Sequence, residues 1–157
     1  MKNRSFNVWL TPVIIAAALG YAASMGSTGY HVAQKYKVPG AGTWDYIAVD
    51  STARRVYITH LTEVEVLDAD SGAVVGKVAG VNGAHGVALA PELGKGFATA
   101  GLADQVVIFD LKTLKNVGAA KTGKKPDSIM YEPVTKRVFA YNGDGESATV
   151  IDAAVRV

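Results

Sequence analysis

Asp45, His85 and Asp127 stand 40 and 42 residues apart. This near-constant interval puts a carboxylate, an imidazole and a carboxylate in one phase of a repeating unit. Brought together, such a set could hold a divalent metal or bind a polar ligand. The competing role is structural: each residue caps the start of its own strand or bonds a neighbouring loop, as polar positions that recur with a repeat commonly do. Trp44 beside Asp45, and Asn142 at the head of a later loop, complete a candidate ligand-binding rim of Trp44, Asp45, His85, Asp127 and Asn142. Whether a metal belongs there is left open by the residues alone.

Other chemistry finds less support. His31 and His60 show no ligand spacing to a partner, and each is expected to be a solvated or satisfied histidine. Lys121, Lys124 and Lys125 cluster before Pro126 without interleaved aromatics, as an exposed loop would. Gly94-Lys95-Gly96 and Gly143-Asp144-Gly145 have the look of inter-strand turns, with no following helix whose N-terminus could take a phosphate. G-x-S-x-G and H-E-x-x-H motifs are absent, so no catalytic residue and no cofactor is expected. The chain has no cysteine, which excludes thiol catalysis, Cys-based metal sites and a C-x-x-C-H haem attachment. Of 16 Lys and Arg residues, two are Lys2 and Arg4, which leaves 14 against 14 Asp and Glu. The body is electrically balanced and gives no clear nucleic-acid signal, since such binders carry a basic excess.

The elements that must position these residues follow from an internal repeat of 40 to 42 residues. Trp44 to Asp50 recurs as Ala84 to Ala90 and as Pro126 to Glu132. Arg55-Val56-Tyr57-Ile58 recurs as Lys95-Gly96-Phe97-Ala98 and Arg137-Val138-Phe139-Ala140. A third set ends at Asp68, Asp110 and Asp152, each 42 residues after the last. The segments are short, rich in Val, Ile, Tyr, Phe and Thr, and parted by turn residues, so they are predicted strands. The first of each unit (Tyr46 to Val49, Val87 to Leu89, Ile129 to Tyr131) is apolar at consecutive positions, as a strand buried on both faces would be. The closing aspartates are placed to bond backbone N–H groups two residues on. Fourth segments follow at Ala73 to Ala79 and Leu114 to Ala120. Four short antiparallel strands per 40-odd residues make the unit of a β-propeller blade. The expected fold is therefore all-β, with about three four-stranded blades in an incomplete ring.

The run Ile47 to Asp50, Arg55 to Thr59 and Val64 to Gly72 resembles the YVTN repeat of the YncE-like β-propeller proteins. His85 to Glu92 and Lys136 to Asn142 fit the same pattern, and the resemblance covers about residues 30–152. WD40 and Kelch repeats match less well, because Trp44-Asp45 precedes a first strand and does not end a third one. The resemblance implies a mostly exported, generally seven-bladed binding or scaffold propeller, with no single shared chemistry.

Residues 1–24 are expected to be a signal peptide or N-terminal anchor. Lys2 and Arg4 precede an uncharged stretch over 5–34, and small residues lie at Gly20, Ala22, Ala23 and Ser24. Cleavage implies a periplasmic or secreted protein; uncleaved, residues 6–23 would be its only membrane contact. Residues 30–157 divide into an outer closing strand over 30–38, blades over 44–80 and 84–121, and an incomplete blade over 126–157. Three blades cannot surround a channel, so the chain is expected to be a truncated piece whose open blade faces favour self-association. The function expected is a non-catalytic binding or scaffold module for a protein or small-molecule ligand. The alternatives are a hydrolase or lactonase-like propeller with a rim metal site, and a propeller subunit of a periplasmic redox system.

Overall fold

A computed structural model describes residues 29–155; the expected export segment over 1–24 lies outside them. Among the described residues, eleven strands form three antiparallel sheets in strict chain order. The first holds β1 (Trp44–Asp50), β2 (Arg55–His60), β3 (Glu63–Asp68) and β4 (Val74–Ala79). The second holds β5 (Ala84–Ala90), β6 (Lys95–Ala100), β7 (Gln105–Asp110) and β8 (Asn116–Lys121). The third has three strands, β9 (Pro126–Glu132), β10 (Arg137–Asn142) and β11 (Ser147–Asp152). Two single-turn 3-10 helices, Pro91–Leu93 and Gly101–Ala103, sit in the second blade's connections. β5 lies between β1 and β9, so the three blades fan out from adjacent first strands.

Carboxylates close the turns. Asp68 accepts from the N–H of Asp70 at 3.2 Å and of Ser71 at 2.8 Å. Asp110 does the same with Lys112 at 3.1 Å and Thr113 at 2.7 Å, and Asp152 with Ala154 at 2.9 Å. These are the local bonds expected of a short acidic side chain that ends a strand.

Two apolar layers join the blades. Between the first and second lie Tyr57, Val64, Val66 and Val78 against Val87, Ala98, Val107 and Phe109. Between the second and third lie Ala90, Phe97, Val106 and Ile108 against Val138, Ala140 and Ala153. Tyr57 and Phe97 hold equivalent places and are fully buried, whereas Phe139 in the third blade is half-buried. It points to the side where no further blade packs.

The same geometry corrects the expectation that every first strand is buried on both faces. β5 is, because it has a blade on each side. In β1, Ala48 packs inward, but Ile47 and Val49 alternate onto the opposite face and are exposed. In β9, Met130 is exposed likewise. A second correction concerns the outer strand expected over 30–38. Residues 29–40 form no strand, and among the described residues the third sheet stops at β11. Instead the Tyr36 hydroxyl donates to the Asp70 carbonyl at 2.8 Å. That ties Tyr36 to the β3–β4 turn of the first blade, two blades from the free edge of β11.

Candidate functional site

Each first strand begins at the same end of its blade, so Asp45 on β1, His85 on β5 and Asp127 on β9 arrive together. His85 Nδ1 lies 2.8 Å from Asp45 Oδ2 and 4.0 Å from Asp127 Oδ1. One ligand atom from each of the three falls within 4.8 Å of the others. Asp45 is exposed and the other two are half-buried, so the group opens to solvent.

Two buried threonines fix the backbone beneath this group. Thr59 on β2 donates to the His85 carbonyl at 2.6 Å. Thr99, the equivalent residue on β6, donates to the Asp127 carbonyl at 2.6 Å and accepts the Gly86 N–H at 2.7 Å. Both are fully buried, where an unmet hydroxyl would be costly. Gly86 lets β5 and β9 approach: a Cβ there would stand 2.7 Å from the Asp127 carbonyl oxygen. The sequence reading missed both threonines; their 40-residue spacing in the repeat was the available signal.

The other two rim residues do not join the triad. Trp44 stacks on His60, with ring centroids 3.9 Å apart and planes 7° from parallel. Asn142 is buried, and its Nδ2 donates to Ser147 Oγ and Thr149 Oγ1, each at 3.1 Å, stapling β10 to β11. Lys125, from the small basic cluster, pairs with Asp144 at 3.5 Å.

His60 departs from the expectation of a satisfied histidine. Its Nε2 meets the Ala41 carbonyl at 3.1 Å, but its Nδ1 is buried without a partner. Glu63 and Glu65 lie close by. A separate cleft of about 590 Å³ opens at the far end of β1, lined by Asp50, Arg55, Pro91, Asp110, Leu111 and Lys112. Its two aspartates are engaged by their own turns, Asp50 with the N–H groups of Thr52 and Ala53.

No family model matches the chain, and no curated protein does. Solved structures do match. Hydrazine synthase of Kuenenia stuttgartiensis aligns at 21% identity with a TM-score of 0.67, over 79% of this chain and 36% of that one. The β-propeller domain of Cps50 (Swd1) from Myceliophteria thermophila aligns at 11% identity with a TM-score of 0.62, over 76% of this chain and 38% of that one. The chain thus spans little more than a third of either. At such identities the likeness speaks for architecture alone, and that architecture is the β-propeller.

Proposed function

We propose that the chain is part of an exported, non-catalytic β-propeller of the YVTN, YncE-like kind, and that it binds its ligand at the rim formed by Asp45, His85 and Asp127. The observation that carries this is the convergence of one phase of the repeat, from three successive blades, onto a single open group. Two carboxylates beside an imidazole suit a ligand that offers positive charge or N–H donors, such as an arginine or lysine side chain of a partner. The balanced charge of the remaining surface leaves such a local site to set selectivity. Titration with an arginine-containing peptide, followed by NMR, tests the reading. Backbone shifts at Asp45, His85 and Asp127 are expected, and their loss in Asp45→Asn/Asp127→Asn. Shifts elsewhere, or none, would count against it. N-terminal sequencing of the exported product tests the location, with a mature end near Ala23 or Met25 expected.

A second reading has its own support. The same three residues have the donor types of a divalent-metal site, as a hydrolase or lactonase-like propeller would need. A stoichiometric divalent ion that departs with Asp127→Asn would favour it over a purely organic ligand.

A further inference from the structure

The first blade carries a second convergence, away from the rim triad. His60 ends β2 and pairs directly with Glu63 at the start of β3. Paired residues share a sheet face, and Glu65, two positions on, joins them. One ring nitrogen of His60 and one carboxylate oxygen from each glutamate lie within 4.8 Å of one another. His60 is only 6% exposed and Glu65 9%. Burial, and then the neighbouring Glu63, push the Glu65 carboxyl above its ordinary range. Lys77 answers Glu63, with Nζ 2.9 Å from Oε2, but it is more than half exposed.

The bonding of His60 is the telling observation. A carbonyl only accepts, so Nε2 carries the proton and donates to Ala41. The stack on Trp44 holds the ring plane. Gly40 passes flush over the ring edge, where a Cβ would stand 2.8 Å from Cε1. Nδ1 is then a bare lone pair, wholly buried and unpartnered, on a ring that has one nitrogen close to both carboxylates. An imidazole oriented by a backbone carbonyl through one nitrogen, with the other left free, is how proteins present histidine to a metal.

We infer that His60 Nδ1, Glu63 and Glu65 form a binding site for a divalent transition cation, zinc foremost. The two carboxylates balance the ion's charge, and three protein ligands leave a fourth position for water. Calcium and magnesium fit poorly, since they call for more oxygen ligands and no imidazole. Zinc bonds of about 2.0–2.1 Å need ligand atoms roughly 3.4 Å apart, so the two glutamate side chains would have to rotate inward on binding. Lys77 then becomes a spectator on the outer oxygen of Glu63.

The test is titration of the metal-free full chain with cobalt(II), read by its visible absorption, followed by displacement with zinc(II). One equivalent of cobalt should bind in the parent and in Asp127→Asn. Affinity should fall at least about tenfold in Glu65→Gln and in Glu63→Gln. Without metal, Glu65→Gln should melt no lower than the parent, because it removes a buried charge, and it should lose the zinc-induced rise in Tm. Failure of the parent to bind cobalt, binding that survives both glutamine variants, or binding lost only with Asp127→Asn would each overturn the assignment.

Discussion

The hydroxyl of Thr99 on β6 donates to the backbone carbonyl of Asp127 on β9 at 2.6 Å, so one blade's second strand holds the next blade's first. Thr59 does the same for His85. Spacing between blades, and with it the geometry of the rim, therefore hangs on two buried hydroxyls as well as on apolar packing.

Thr99→Val keeps the shape but leaves the Asp127 carbonyl and the Gly86 N–H without their partner. A loss of about 1–3 kcal/mol is expected, with NMR shifts centred on His85 and Asp127. Thr99→Ser, which restores the hydroxyl, should recover most of both. Urea denaturation and a two-dimensional spectrum of each variant give the answer.

Phe97 and Phe139 are one residue type at one repeat position, yet only Phe97 is enclosed by two blades. Phe97→Ala should cost about 3–5 kcal/mol, the usual range for a buried aromatic. Phe139→Ala should cost clearly less. Equal losses in thermal melts would mean that the face beyond β10 is covered in solution.

Tyr57 fills the same place in the first blade, but its hydroxyl is buried near the Arg55 guanidinium without a well-formed hydrogen bond. The guanidinium of Arg55 makes its good bond to the Leu111 carbonyl, at 2.7 Å. Tyr57→Phe should stabilise the chain by about 1 kcal/mol, since an unmet polar group is removed and the ring stays. Urea denaturation of the variant beside the parent decides it.

Acid should destabilise the fold through its turns. The Ser71 hydroxyl and N–H hold the Asp68 carboxyl below its ordinary 3.8. The Thr113 N–H and hydroxyl do so for Asp110, and the Thr135 hydroxyl holds Glu132 below 4.5. A depressed carboxyl contributes stability that is present above its unfolded value and is lost as pH falls through the folded one. Tm should therefore be level from neutrality to just above those ordinary values and then drop as acid is added. Asp110→Asn should flatten that drop, and melts across the range check it. Glu65 has the opposite sign: its raised carboxyl costs stability as pH rises past 4.5.

Much of this was written in the order of the residues. Val, Ile, Tyr and Phe in short runs specify strands, and a repeat of fixed phase specifies blades. Asp68, Asp110 and Asp152 announce their turns because each bonds a backbone N–H two residues on, a distance that local geometry alone fixes. Some local features were masked nonetheless. The residue before the second strand is left-handed in every blade, and only Gly94 advertises it; Arg54 and Lys136 take the same conformation at φ 54.

What the tertiary structure decided are contacts across a whole blade. Asp45 and His85 are 40 residues apart, and their 2.8 Å separation exists only because two sheets pack with Thr59 between them. Trp44 and Asn142 lie at the rim end of their strands, but a stacking partner and a hairpin claim them first. The open nitrogen of His60 depends on Ala41 and Gly40 crossing the first blade, a path that no periodicity marks. Residue type and spacing determine whatever is closed by bonds to near neighbours. Long-range packing decides which of two equivalent faces meets another blade, and therefore which side chains are left free to bind.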